Sequence, residues 1–231
     1  MVQTVPAAEV TLRELKQTFG LQQAQVSTFF PEWFETHAAL SEAEQQLLDR
    51  VKANFMELME DPPMLENSVK MVVLAPLLDL AGFYHKPFRI ETETSIDVEL
   101  EDESTVIRGR IDVLVLKNRL WLLVIESKRS DFAVTRAIPQ ALTYMIGNPE
   151  AQPTFGMITN GNEFLFLKAT RQPAAEYANS KLFSLVNPNN DLYGVLQILK
   201  RLGEERSPDF AFYLYRSRLS TSSFVPESST G

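Results

Sequence analysis

The sequence predicts an α/β (or α+β) protein in which helices pack against one mixed central β-sheet. Three observations support this fold class. Apolar residues recur near a 3.6-residue period up to about residue 81 and near a period of two from residue 90. Residues 105–116 and 120–127 are almost continuously apolar, which is typical of central strands covered on both faces. Asn160-Gly161 separates two further apolar runs and is a strong signal for a β-hairpin.

The first predicted elements are two helices. The apolar pattern predicts a helix over residues 31–60, in which Ser41 and Glu44 form a capping signal. A second helix is predicted over residues 66–81, and Gly82 is placed to end it.

Strands follow, and then strands and helices alternate. The first strand alternates apolar residues with Glu and Asp, and we expect its acidic outer face to protect a sheet edge from pairing with other molecules. Pro139 is expected either to kink the third helix or to begin its main part. The predicted elements are strands over 90–101, 105–116 and 120–127, a helix over 131–146, hairpin strands over 155–159 and 163–169, and a last helix over 192–202.

A length of 231 residues suits one large domain with extensions. We expect residues 1–64 to be a helical extension packed on the core, residues 65–204 to be the main domain, and residues 205–231 to be a C-terminal segment with a flexible tail. The residues before Ala7 are also expected to fray. No cysteine is present, which excludes disulfides and thiolate catalysis, and no apolar stretch is long enough for a bilayer. We therefore expect a cytoplasmic protein without a membrane segment.

The charge is unevenly distributed along the chain. The formal net charge is −8. Residues 1–104 hold 7 Lys and Arg against 19 Asp and Glu, residues 105–140 hold 7 against 3, and residues 141–231 hold 8 against 8. An anionic substrate is therefore expected to bind in the middle segment, because phosphate binding depends mainly on Lys and Arg.

Several common catalytic arrangements are absent from the sequence. It contains neither a phosphate-binding loop with Gly-Lys nor a Gly-x-Ser-x-Gly elbow, so it is not an evident ATPase or serine hydrolase. The two histidines, His37 and His85, are far apart, and we expect surface or capping roles for them.

Charged residues interrupt the apolar strands of the middle segment. Asp112 lies within one predicted central strand, and Glu126, Ser127 and Lys128 end the next. Charges on such strands are unfavourable unless they are paired or bind a metal, and carboxylates held together suit Mg²⁺. Asp112 and Glu126 fall opposite each other if the hairpin loop is odd, for example residues 118–120. An even loop without a bulge would put them on opposite faces.

These residues resemble the motifs of the PD-(D/E)xK nuclease superfamily. The sequence is most similar to the type I restriction R-subunit N-terminal and RecB-type branches, over about residues 66–169. The matching features are Asp112 in Arg-Ile-Asp-Val, Glu126-Ser-Lys128 after an apolar strand, and Gln140 with Tyr144 at the QxxxY spacing, while Ile111 replaces the proline of the family name. The resemblance implies a restriction-endonuclease-like core of order αβββαβ, with a hairpin strand and extra N-terminal helices added.

The resemblance also implies a function. The protein would be a nuclease that depends on Mg²⁺, with Mn²⁺ as a substitute, and hydrolyses phosphodiester bonds of DNA, or of RNA, in a restriction, defence or repair system. Partner subunits of a restriction system are implied as well, whereas the sequence does not reveal the oligomeric state.

The resemblance assigns a role to each candidate residue. Asp112, Glu126 and the backbone carbonyl of Ser127 would hold the metal, and Glu66 would complete that site or support a second ion. Lys128 would position the attacking water or neutralise developing charge, and Gln140 and Tyr144 would orient the substrate or Lys128. Two arginines beyond the strand, Arg129 and Arg136, are candidate phosphate contacts.

Other interpretations remain open at this level. Asp112 and Glu126 could pair with Arg110, Lys128 or Arg129 as ordinary salt bridges, and Gln140 and Tyr144 could simply pack on the sheet. The protein could also be a catalytically silent module that binds nucleic acid or a partner subunit, or an interaction domain that uses its acidic strand and N-terminal helices.

Overall fold

The computed structural model describes residues 3–24, 29–34, 38–99, 105–118, 120–148 and 153–205. Among the predicted features, His37, Arg119 and most of the C-terminal segment, residues 206–231, lie outside the described residues. Within the described ranges, no helix combines the length and the apolarity needed to cross a membrane.

Within the described residues, eight strands form one mixed sheet. They are β1 (Gln3–Pro6), β2 (Gln22–Gln23), β3 (Phe88–Glu99), β4 (Thr105–Lys117), β5 (Leu120–Ser127), β6 (Thr154–Thr159), β7 (Glu163–Thr170) and β8 (Glu176–Ser184). Their order in the sheet is β1-β4-β5-β6-β7-β8-β2, and β3 pairs with β4 as well. The β1–β4, β5–β6 and β2–β8 pairs are parallel, and the remaining pairs are antiparallel.

Helices cover both faces of this sheet. They are α1 (Leu12–Phe19), α2 (Glu42–Leu58), α3 (Glu66–Val69), α4 (Ala75–Leu80), α5 (Ile138–Ile146) and α6 (Leu192–Glu205). One apolar core lies under α2, α4 and α6, and a second lies under α1 and α5. The predicted fold class and the order of core elements, a helix, three antiparallel strands, a helix and a strand, are confirmed.

A π-helical turn, Lys70–Leu74, joins α3 to α4. The Ala75 N–H donates to the Lys70 carbonyl, five residues back. Pro76 stands in the first turn of α4, lacks an N–H, and would clash with the carbonyl four residues before it in a regular helix. The wider turn relieves that clash, so the predicted helix over residues 66–81 is present but locally expanded.

Two predicted helices are shorter in the structure. The helix predicted over residues 31–60 begins only at Glu42, because Ser41 has an extended backbone and its side chain forms the capping box with Glu44. The helix predicted over residues 131–146 begins at Ile138, after a 3₁₀ turn at Val134–Ala137. Pro139 therefore begins the main part of that helix, where its missing N–H costs nothing.

The predicted frayed N-terminus is wrong for residues 3–6, which form β1 beside β4. Strand β8 was not predicted either, because its Ala, Asn, Ser and Lys residues have weak strand propensity and it is stabilised by pairing with β7. Residues 1–64 thus contribute two short strands to the sheet in addition to helices.

Candidate active site

All the candidate residues except Ser127 and Arg136 line an open cleft of about 810 Å³. The cleft opens where one edge of β4 is unpaired. Strand β3 pairs along nearly the whole of the other edge, whereas on this edge β1 covers residues 105–108 and β5 covers residues 113–117. Residues 109–112 lie in the gap between β1 and β5. Asp112, the last of these, therefore lies at an interruption of the sheet.

Asp112 also lies where the side chains of β4 change from one face of the sheet to the other. Ile111 and Val113 would share a face in a regular strand, yet they belong to the two opposite cores. The neighbouring strand is irregular at the same place, because Glu93 has a φ of 54° and is omitted from the ladder between Thr92 and Thr94. A positive φ is rare for Glu and costs on the order of 1 kcal/mol.

The register of the β4–β5 hairpin brings Glu126 to Asp112. Lys117 pairs with Leu120, so the loop has two residues and is even, unlike the odd loop given as an example from the sequence. A bulge corrects the register, because Leu116 pairs with Trp121 while Val115 pairs with Leu123. Val113 then pairs with Ile125, and Asp112 and Glu126 are the next residues on the two strands. The Ser127 N–H donates to Asp112 Oδ2 at 2.8 Å, which joins the two strand ends.

A chain of polar contacts runs from Glu126 to α5. Lys128 Nζ pairs with Glu126 Oε1 and donates to Gln140 Oε1 at 3.1 Å. Gln140 Nε2 in turn donates to the Tyr144 hydroxyl at 2.8 Å. The four-residue spacing on one helix face lets Gln140 and Tyr144 meet in this way. The structure therefore brings Glu126, Lys128, Gln140 and Tyr144 together.

Tyr144 fills the space behind the gap in β4. Its ring is buried, and burial together with the charge of Glu126 raises the pKa of its hydroxyl to about 12, although hydrogen bonds with Gln140 and the Arg110 backbone oppose the shift. The ring fits because residue 109 is a glycine. A Cβ at Gly109 would lie 2.5 Å from Tyr144 Cε1 and 2.8 Å from the Cβ of Ala7, which follows β1.

The two carboxylates are held in an unfavourable environment. Burial and the nearby charge of Asp112 raise the pKa of Glu126 to about 7, against the opposing effect of Lys128. Burial also raises the pKa of Asp112, and the hydrogen bonds from Lys70 and the Ser127 N–H offset only part of that shift. A bound cation would relieve both effects, because it favours the ionised form of each carboxyl.

Glu66 is linked to Asp112 through a lysine. Lys70 Nζ lies 2.9 Å from Glu66 Oε1 and 2.9 Å from Asp112 Oδ1. Burial alone would lower the pKa of Lys70, but hydrogen bonds with Asp112 and Glu66 outweigh it and leave the pKa raised. Lys70 is thus a permanent cation between the two carboxylates.

The donor atoms around Asp112 and Glu126 fit a Mg²⁺ ion. Glu126 Oε2 is buried and has no hydrogen-bond partner, so one carboxylate oxygen is available for a ligand. In the part of the chain that the structure describes, no three acidic or histidine side chains converge as a ready metal cage. Mg²⁺ does not require such a cage, since it is usually bound by one or two carboxylates and several waters.

The two predicted phosphate contacts lie outside this chain of polar contacts. Arg129 lines the cleft and pairs with Asp131 through two hydrogen bonds, at 3.1 and 2.9 Å. Arg136 is exposed and its guanidinium lies 5.5 Å from the ring of Phe132. Lys128 also lies over that ring, at 5.7 Å.

Several residues of the site were not found from the sequence. They are Lys70, Glu93, Arg108, Arg110 and the wall formed by Pro6–Ala8. Only Lys70 had a local signal, because it follows Glu66 by four residues on a predicted helix. The other residues are brought to the site by the β1–β4 pairing and by the irregular φ of Glu93. The alternation of apolar and polar residues in the sequence predicts neither of these features.

Comparison with protein-family models shows the family of the chain. Residues 31–175 match the family described as the N terminus of the type I restriction enzyme R protein. The matched range includes every candidate site residue and excludes β1 and α1.

Comparison with solved structures gives a distant likeness. A fragment assigned to an HsdR subunit of a type I restriction enzyme from Vibrio vulnificus has 24% sequence identity and a TM-score of 0.40. The likeness covers 64% of this chain and only 27% of that one. No curated protein matches the sequence.

Proposed function

Because the chain belongs to the family of type I restriction enzyme R protein N termini, we propose that it is a metal-dependent nuclease that hydrolyses phosphodiester bonds of DNA. The observation that supports this most is the continuous set of contacts joining Asp112, Glu126, Lys128, Gln140 and Tyr144 along one cleft. A structural salt bridge would account for Glu126 and Lys128, but not for the buried, unpartnered Oε2 of Glu126.

Asp112, Glu126 and the Ser127 carbonyl would hold the metal ion. When bound there, Mg²⁺ would supply Lewis-acid polarisation of the scissile phosphate and would lower the pKa of a water. Asp112 is fixed by the Ser127 N–H and Lys70, so its carboxylate would need little reorganisation. Glu66 contacts Lys70 through Oε1 and is linked to Asp112 through that lysine.

Lys128 would act on the other side of the phosphate. Its side chain is mostly buried, and Gln140 and Glu126 hold its ammonium at the cleft wall. In that position it would neutralise negative charge that develops on the phosphoryl oxygens, or orient the attacking water. Tyr144 would fix Gln140 and thereby Lys128.

Arginines would contact the polynucleotide beside the reacting phosphate. Arg129 lies at the rim of the cleft, and Arg136 lies one turn before α5. Both are exposed and could bind phosphate oxygens without burial of charge. The context we propose is a restriction, defence or repair system with partner subunits.

Cleavage assays would test the proposal. Labelled single- and double-stranded DNA, and RNA, would be incubated with Mg²⁺, Mn²⁺ or EDTA and either the wild type, Glu126→Gln or Glu44→Gln. Glu44 is a matched control, because it pairs with Lys200 far from the cleft. We expect metal-dependent cleavage that Glu126→Gln loses and Glu44→Gln keeps. Equal cleavage by all three proteins would contradict the assignment, and a lack of both cleavage and Mn²⁺ binding would favour a silent binding module.

A further inference from the structure

Lys70 contacts three carboxylates of the cleft. Its Nζ lies 2.9 Å from Glu66, 2.9 Å from Asp112 and 3.3 Å from Glu93. Only 18% of its side chain is exposed, whereas Glu66 and Glu93 are 39% and 47% exposed. The ammonium therefore lies on the inner side of these carboxylates, where a cation shared by Glu66 and Asp112 would lie.

Two irregular pieces of backbone bring Lys70 to this position. Lys70 begins the π-helical turn, and such turns are rare and frequent at functional sites. Glu93 reaches the ammonium from a backbone with φ 54°, on the strand opposite Asp112. The π-helical turn relieves the clash of Pro76, so packing explains it, but the positive φ of Glu93 is unfavourable and brings its carboxylate to the same ammonium.

The charges around the cleft are nearly balanced without a metal ion. Four carboxylates, those of Glu66, Glu93, Asp112 and Glu126, contact three cations, those of Lys70, Arg110 and Lys128, which leaves a net charge of −1. One divalent ion would change this charge to +1, which matches a phosphodiester with its single negative charge. A second divalent ion would leave a large positive excess unless Lys70 moved away.

We propose that the Lys70 ammonium takes the place of a second divalent cation, so that the site binds a single metal ion and Glu66 is a ligand of Lys70 rather than of the metal. This inference rests on the proposed function, because it assumes that Asp112 and Glu126 hold a metal. Lys70 is then a positioning residue, which fixes Asp112 and keeps other cations out.

Counting bound Mn²⁺ by titration calorimetry and electron paramagnetic resonance tests this assignment. We expect one Mn²⁺ per chain in the wild type and two in Lys70→Met, because that variant leaves Glu66, Glu93 and Asp112 without their shared cation. Lys70→Arg, which keeps a cation, and Lys200→Met, a matched control at another Lys–Glu pair, are expected to bind one. Two ions in the wild type, or one in Lys70→Met, would overturn the inference while the proposed function stands.

A second variant avoids dependence on the folding of Lys70→Met. If Glu66 is not a metal ligand, Glu66→Gln keeps the wild-type Mn²⁺ affinity to within about threefold, whereas loss of even a supporting group of a metal ligand costs about tenfold or more. A loss of more than about tenfold in Glu66→Gln would overturn the inference. If the wild type binds no Mn²⁺ and cleaves nothing, the proposed function fails and the inference falls with it.

Discussion

At the scale of single residues, the site depends on a carboxylate that the fold buries without full compensation. Glu126 is 2% exposed, pairs with Lys128 through one oxygen and leaves the other without a partner. A buried charge of this kind lowers stability unless a cation binds. The sequence singled out this residue as a candidate, because a charged residue at the end of an apolar strand is unfavourable unless it is paired or binds a metal.

The raised pKa of Glu126 predicts how stability depends on pH. The pKa is about 7 in the folded protein, against about 4.3 in the unfolded chain. Between these two pH values the folded state binds a proton at Glu126 and the unfolded state does not. Proton binding therefore stabilises the folded state; this stabilisation is complete below the unfolded pKa and is lost as the pH rises through 7. In EDTA, urea unfolding should show that the wild type loses on the order of 2 kcal/mol between pH 5 and pH 8 from this group.

Glu126→Gln should remove most of that dependence, and Glu9→Gln, an exposed control, should keep it. Mn²⁺ added at pH 8 should restore stability to the wild type but not to Glu126→Gln. If the unfolding free energy of the wild type and of Glu126→Gln depends on pH in the same way, burial does not raise the pKa of Glu126.

Gly109 predicts a second effect at a single position. In Gly109→Ala the new Cβ would lie 2.5 Å from Tyr144 Cε1, so the Tyr144 ring or the segment around Ala7 must move. We expect a loss of about 1–3 kcal/mol in unfolding free energy and weaker cleavage. Gly203→Ala is the comparison, because its nearest contact is 3.2 Å and it lies in α6; it should cost less. Equal effects in urea unfolding would contradict this account.

At the scale of elements, the sequence predicted the helices, strands and turns that are determined by patterns of neighbouring residues. The capping box at Ser41, the hairpin around Asn160-Gly161 and the three central strands all have signals within a few residues. Two of the elements that were missed, β1 and β2, are stabilised by partners far away in the sequence. Strand β8 pairs with the neighbouring strand β7 and was missed because its residues have weak strand propensity. The bulge after Val115 could be stated only as a condition on the register, because the apolar run of β5 gives no local signal for its position.

Strand β1 predicts the effect of removing the N-terminus. Deletion of residues 1–9 would expose the edge of β4 at residues 105–108 and remove the wall that supports Tyr144. We expect faster hydrogen exchange at those amides of residues 105–108 that face β1, and reduced cleavage. Amides of β6, which lie in the middle of the sheet, serve as the internal control. Unchanged exchange at residues 105–108 would show that β1 contributes little.

At the scale of the whole molecule, charges that are separate in the sequence meet in space. The acidic strand β3 pairs its carboxylates with the basic strand β4, through Asp97 with Arg108 and Glu93 with Arg110. The middle segment is therefore less basic in the folded protein than its composition predicts. A count of charges along the chain could not show this, because the two strands come from different windows.

One ion pair between two helices predicts behaviour in acid. Lys200 on α6 and the Ser41 N–H hold the pKa of Glu44 on α2 at about 2. This lowered pKa stabilises the folded state at pH values above the pKa of the unfolded chain. The stabilisation is lost as the pH falls from about 4.3 towards 2. The pair is partly exposed, so the loss should be at most about 1 kcal/mol.

Urea unfolding between pH 5 and pH 2.5 should show this loss in the wild type, and Glu44→Gln should lack it. Because salt screens an exposed ion pair, 1 M NaCl should reduce the difference in stability loss between the wild type and Glu44→Gln. If the stability of the wild type does not change with pH in this range, the prediction is wrong.

The N-terminal segment pairs with two distant parts of the sheet, and this has a consequence during synthesis. Gln3 pairs with Thr105 through β1, and Gln22 pairs with Glu176 through β2, with α1 crossing one face between them. Residues of β1 and β2 must therefore wait for partners translated much later, since long-range pairing forms slowly and only after both strands exist. The cleft wall is completed only after residues 105–144 have been made, so a shorter nascent chain does not carry a finished site.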